Sequence, residues 1–444
     1  MTGAERLADF ALDRAAIPAD VEASARLHLL DALAVGIAAS AGPDQRLWAA
    51  EISGQGRATT LSGGSAHATD AAMLNGAFIH SLEFDDTHIA SVIHGSAVAA
   101  PVALAAAEEA GDGSKLVPAF VTAWEAMIRI GLAAPGAFQA RGAQVTAVAG
   151  AIGAALAASV AWGLERRQVI SAIGIAGSQA SGLLAFLSDG SSVKALNPGW
   201  AAHTGLMAAR LARGGMTGPA DILEHRFGPM AVFGADPAGL EAALADLGTV
   251  WRLPEAAFKL YPACHYIHPF LELTEGLMAE GLTADSIDRI TLHVAQEELP
   301  LIAEPWSRRQ SPASGYDGKW GLPYCLALML IDGHVDVASF EAAPRPDVVA
   351  LAQRMDLAPW QGSGFPARFP ARIEVRTTDG ATRDLTVDTV RGAPGREIGA
   401  DEVLRKVRAN LSRRHAAAGA EAIISALLDG PVPDLPGLSA ALRA

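Results

Sequence analysis

From its start to about residue 250 the chain repeats one pattern: Ala- and Leu-rich stretches of helical length, broken by Gly, Pro or Asp-Gly, with almost no period-two alternation. Such a region is all-helical. Asp20 is placed to cap a helix through Ala39, whose apolar positions Leu27, Leu30, Leu33, Ala34 and Ile37 recur at spacings of three and four, with Arg26 and Asp31 on its other face. The weakly polar run from Ala143 to Gly163 has the length of a membrane span, but its Ala, Gly, Val and Ser side chains suit a buried, closely packed helix better.

Beyond Trp251 the texture changes. Arg289–Val294 and Ala371–Arg376 alternate with period two, and the second run continues through Thr378-Asp379-Gly380 into Leu385-Thr386-Val387, which predicts a β-hairpin closed at Asp-Gly. Pro323–Ile331 and Arg345–Met355 read as helices between these strands. The Gly/Pro-rich stretch Arg391–Gly399 suits a crossing between domains, Asp401–Leu428 is helical again, and the tail from Gly430 reads as a loosely held end. The fold class is therefore mainly α: a large helical domain, residues 1–257 and 398–444, with a smaller α+β lid domain, residues 258–397, inserted near its C-terminus.

At 444 residues the chain exceeds what one hydrophobic core usually organises, which agrees with two domains. A net charge of −14 disfavours a nucleic-acid or anionic-membrane surface, since either needs a concentrated positive field. Two cysteines, Cys264 and Cys325, are too few for a disulfide framework, and without a signal-peptide pattern the expectation is a cytoplasmic protein. Only five of the 34 basic residues are lysine, so where those five lie is informative.

Three segments concentrate reactive side chains. The densest is His80-Ser81-Leu82-Glu83-Phe84-Asp85-Asp86-Thr87-His88, followed by His94-Gly95-Ser96. Ionisable groups set between apolar helices need partners, and they suit a cleft where acids and imidazoles exchange protons with a substrate. A solvated capping loop and a transition-metal site are the rival readings, although the spacing matches no familiar ligand pattern. In the second segment, Lys194 stands just before a helix start, where a lysine and free helix N–H groups together would seat a carboxylate; a surface lysine is the plainer alternative. The third, Lys259-Leu260-Tyr261-Pro262-Ala263-Cys264-His265-Tyr266-Ile267-His268, opens the inserted domain, a favoured place for ligand groups, though Tyr261 and His268 also fit junction packing.

Taken in order, these segments resemble the MmgE/PrpD family: Asn75-Gly76, Phe84-Asp85-Asp86-Thr87-His88, Asp189-Gly190 with Lys194, Gly199-Trp200-Ala201-Ala202-His203-Thr204-Gly205, Lys259 to Cys264 with His268, and Leu322-Pro323-Tyr324-Cys325-Leu326-Ala327. The resemblance implies a helical large domain, an α+β lid, a homodimer and a cleft needing no metal or organic cofactor. It places Thr87, His94, Lys194, Lys259 and Tyr324 in the active site. Glu83, Asp85, His88, Gln144, Cys264, His265 and His268 are further substrate-binding candidates read from this chain itself. The chain departs from the family pattern at Glu83, usually aspartate; at Gln144, often histidine; and at Gly95, commonly proline, a change expected to loosen the loop.

The family's dehydrations, decarboxylations and epimerisations all develop charge beside a carboxylate, which Lys and His donors can stabilise. Gln144 cannot exchange a proton at neutral pH, and a general acid is worth about 10²–10⁴ in rate, which weighs against the two lyase reactions. The expectation is thus an epimerase of the iminodisuccinate type, its base and acid drawn from His94, Lys194, Lys259 and Tyr324. The alternatives are a 2-methylcitrate-like dehydratase, a cis-aconitate-type decarboxylase and, outside enzymes, a silent small-anion binding protein.

Overall fold

The structure, a computed structural model, describes all of the chain except residues 14–16, 53, 189 and 366–367, so Asp189 of the motif above lies outside the described residues. It is mostly helical with some sheet. Met1–Ser81, Asp85–Phe258 and Gly399–Ala444 form one compact unit; Leu82–Phe84 and Lys259–Ile398 form a second.

In the first unit the Val145–Trp162 helix is buried along nearly its whole length and packs against the helices Ser96–Ala110, Leu116–Ala133, Arg166–Ser178 and Val193–Arg213. Small side chains permit this crowding. A Cβ at Gly199 would lie 2.2 Å from the carbonyl of Met73, and one at Gly205 would lie 2.4 Å from that of Ala151, so the glycines of the 199–205 motif set helix spacing. Residues 113–133 and 145–162 are long and apolar enough to cross a membrane, yet 83% and 89% of their apolar windows are buried within the fold.

The Ala19–Ser40 helix differs from expectation in two ways. It starts one residue before Asp20, so that this carboxylate lies in the first turn, where it complements the helix dipole instead of capping the end. Arg26 and Asp31 are buried, because the C-terminal segment folds over this face: Arg26 donates to the carbonyls of Leu427, Gly430 and Pro431, and Lys406 pairs with Asp31 at 2.8 Å. The Asp401–Leu428 stretch is two helices, Ala400–Leu411 and Ala417–Leu428, separated by a turn from which Arg414 reaches the carbonyl of Leu61. Nor is the tail loose. Asp434 caps a final helix, Leu435–Arg443, that buries Leu435, Leu438 and Leu442, a spacing of three and four that gives even this short helix an apolar face.

The second unit carries a four-stranded sheet in the order Met355–Trp360, Ile287–Ala295, Ala371–Thr377, Thr382–Val387; the first pair is parallel, the others antiparallel. The hairpin closes at Asp379-Gly380, with Gly380 at φ 88°. Met355 was expected to end a helix but begins a strand, the helix being only Pro346–Ala352; Pro359 is tolerated there because the strand lies at the sheet edge. Ile290, Leu292, Ile373 and Val375 share a core with Phe270, Leu326 and Met329 from the covering helices.

A costly group adjoins Leu299 of that core. Glu298 is fully buried and neither carboxylate oxygen has a hydrogen-bond partner among the described residues, so burial pushes its pKa up to about 9. Because the native state holds this proton more tightly than the unfolded chain, the associated stability is complete below about pH 4.5 and is lost as pH rises through about 9. The melting temperature of wild type should therefore fall more steeply over that interval than that of Glu298→Gln. Parallel curves would show that the carboxyl is solvated.

Candidate active site

Within the first unit a continuous chain of polar contacts joins the helix carrying Lys194 to the loop carrying His94. Asn197 donates to the Gln144 Oε1 at 2.8 Å, the Gln144 Nε2 faces the Nε2 of His80 at 3.2 Å, and the His80 Nδ1 donates to Asp85 at 2.8 Å. The Nδ1 of His94 lies 3.5 Å from the same Asp85 oxygen, 3.2 Å from the Thr87 hydroxyl and 3.1 Å from the carbonyl of Asp86.

These partners fix protons. An amide nitrogen only donates, so Gln144 makes the His80 Nε2 an acceptor and His80 a neutral ring with its hydrogen on Nδ1. A carbonyl only accepts, so the Nδ1 of His94 carries hydrogen and its neutral ring holds the lone pair on Nε2. His80 and Asp85 are completely buried while the His94 side chain is 16% exposed, so His94 is the member of this group that reaches accessible surface.

Gln144, the departure from the family pattern, is thus an orienting amide at the start of the Val145–Trp162 helix. Asp85 sits between two imidazoles, a place where it orients rings and would repel an anion. His88 faces elsewhere: its Nδ1 pairs with Ser91 at 2.8 Å and its Nε2 with Glu255 at 3.3 Å, which leaves neither nitrogen for a substrate. Lys194 lies inside the first turn of the Val193–Arg213 helix, not before it, partly exposed and one turn ahead of Asn197.

The second unit holds the other positions. The buried Nζ of Lys259 donates to the carbonyl of Glu83 at 3.1 Å and lies 3.8 Å from its carboxylate; Glu83 adopts φ 56°, an uncommon conformation for a residue with a side chain. Lys319, absent from the sequence-based candidates, donates to the carbonyls of Leu82 and Pro262 at 2.7 and 3.1 Å. Cys264 donates its backbone N–H to the carbonyl of Lys319. His265 and His268 stack edge-on at 4.8 Å, among Tyr261 and Phe369, which is an aromatic packing arrangement. Tyr324 is a core residue whose hydroxyl receives the Arg345 N–H; burial raises its pKa, making it a weak acid.

His80, Asp85 and His94 each present a ligand atom within 4.8 Å of the others, a two-histidine, one-carboxylate set that could hold a transition metal. Direct hydrogen bonding already joins His80 to Asp85, and an ion coordinated between them would have to replace that 2.8 Å contact.

The residues expected to be loose at Gly95 are tightly packed. A Cβ there would fall 2.4 Å from the Trp124 ring, whose Nε1 donates to Ser96 at 3.1 Å, so only glycine fits under the indole. Gly95→Ala should cost about 1–3 kcal/mol in chemical denaturation through overpacking; an unchanged midpoint would mean that the ring moves freely.

Residues 5–239 match the MmgE/PrpD N-terminal domain and residues 261–429 match the MmgE/PrpD C-terminal domain. The chain belongs to the MmgE/PrpD family. Its relatives include a cis-aconitate decarboxylase-like protein of Aspergillus oryzae, 29% identical over 85% of this chain and 83% of its own length. Cis-aconitate decarboxylase of Aspergillus terreus is 29% identical over 72% and 70%, respectively, and that of Homo sapiens 29% identical over 78% and 73%. Two of these relatives are named as decarboxylases and the third as decarboxylase-like, so the kinship favours lyase chemistry over the epimerase expectation.

Proposed function

We propose that this MmgE/PrpD member is a lyase that decarboxylates a small polycarboxylate of the cis-aconitate type, with His94 as its proton donor. The observation that carries the reading is the geometry of His94: a partly exposed imidazole, fixed through Nδ1 by a carbonyl, a hydroxyl and a nearby carboxylate, with Nε2 aimed away from those partners. In the reaction the bond from carbon to one carboxylate breaks, CO₂ leaves, and the electron pair spreads into the adjoining double bond. Protonated His94 then gives its Nε2 hydrogen to the resulting carbanion and is recharged from solvent. Lys194, on the first turn of its helix, supplies positive charge for a carboxylate that stays.

Epimerisation is the second reading, favoured by Gln144, whose amide is committed to His80 and cannot replace a proton-donating imidazole. Incubating the protein with a panel of di- and tricarboxylates in D₂O separates the readings. Decarboxylation gives CO₂ and one deuterium in the product; epimerisation gives exchange with inversion and no CO₂; dehydration gives a new alkene without CO₂. No turnover, with binding weakened by Lys194→Ala, would leave only the anion-binding reading.

A further inference from the structure

We propose that Asp86 and His28 are positioning residues that lock the tautomer of His94 through the backbone carbonyl of Asp86. The inference rests on the acid–base role proposed for His94. Asp86 is buried, and its side chain is held from several directions: His28 Nδ1 donates to Oδ2 at 2.6 Å, the Ser96 hydroxyl donates to the same oxygen at 2.6 Å, and the Ser96 N–H reaches Oδ1 at 3.3 Å. Ser96 is itself held by the Trp124 indole N–H. A side chain pinned this way leaves its own peptide little freedom, and the carbonyl of that peptide is the one that accepts from His94 Nδ1 at 3.1 Å.

His28 is equally constrained. Its ring lies flat on Phe258, with centroids 3.9 Å apart and planes 9° apart, and tilted against Trp124 at 6.2 Å. Phe258 is the last residue of its segment in the first unit and Asp85 the first of the same segment, and the chain beside them is tied by a two-way backbone pairing of Thr87 with Ala257 at 3.0 and 2.9 Å. The His28–Asp86 pair therefore fastens both ends of this segment to the Ala19–Ser40 helix. Neither residue needs to touch substrate. With the Asp86 carbonyl displaced, neutral His94 can hold its hydrogen on Nε2, so the protonated ring can lose its Nδ1 hydrogen in place of the Nε2 hydrogen that the carbanion needs.

The test uses the full chain with ¹⁵N-labelled histidine. Long-range ¹H–¹⁵N spectra above the titration of His94 report its neutral tautomer without any substrate, and His94→Gln identifies the signal. Wild type is expected to show hydrogen on Nδ1. In Asp86→Asn, and in His28→Gln as a second variant should the first not fold, the Nε2–H form should appear, and kcat should fall at least about tenfold with KM changed less than about threefold. An Nε2–H ring in wild type overturns the proposal, as does a folded variant in which either the tautomer or kcat stays as in wild type. Should wild type turn nothing over, the lyase reading fails, while the tautomer of wild type and variants still decides the positioning claim.

Discussion

His94→Gln is expected to keep the fold of wild type and to lose about 10²–10⁴-fold in kcat on the polycarboxylate that the product assay selects. Glutamine retains hydrogen-bonding capacity toward Thr87 and the Asp86 carbonyl, so the loop has reason to stay in place while the exchangeable proton disappears. His94 is the right residue to remove because His80, its neighbour at 5.0 Å between ring centroids, is fully buried with both nitrogens occupied. Steady-state kinetics with a parallel melting curve checks this. A folded variant retaining more than about a tenth of wild-type kcat would move the chemistry to another group.

The second large effect is on stability. Lys406→Met should cost about 3–5 kcal/mol at pH 8, since it leaves the Asp31 carboxylate buried without its cation. Burial already raises Asp31 to about 6, with the negative charge of Asp86 adding to the effect and Lys406 opposing it. Removing Lys406 raises Asp31 further, and a carboxyl with a raised folded-state pKa loses its stabilising contribution as pH rises. The deficit should therefore shrink near pH 5, and Asp31→Asn combined with Lys406→Met should recover most of it. Urea denaturation of the single and double variants at both pH values measures this; a pH-independent deficit would assign the loss to packing.

Local patterns in the sequence identify the Ala371–Val387 hairpin, the Ile287–Ala295 strand and the tightly packed helix at 145–162, because each announces itself by periodicity or turn chemistry within a few residues. The Met355–Trp360 strand carries no such pattern: it is an edge strand containing proline, and its partner residues, from Ile290 opposite Met355 to Ala295 opposite Trp360, lie 65 positions earlier in the sequence. The C-terminal helix was hidden by its Pro- and Gly-rich approach, although Asp434 and three leucines specify it. At the candidate site, the loop from His80 to His94 was legible as a concentration of ionisable groups, whereas the division of labour inside it was not. Periodicity does not show that His88 turns to Glu255 while His94 turns to Asp85. Nor does anything around His28, a lone imidazole in an apolar helix, announce a partner 58 positions later. Gln144 stood out as a departure from the family pattern, but its effect, holding His80 neutral with help from Asn197, depends on three segments meeting in space.

On the proposed mechanism, His94 delivers or removes the reacting proton. A crystal structure with an unreactive tricarboxylate bound tests it most directly. A substrate carbon adjoining a carboxylate is expected at about 3–3.5 Å from Nε2 of His94, with Nδ1 still on the Asp86 carbonyl. A ligand seated with that nitrogen out of reach, or on the opposite side of the ring, would contradict it.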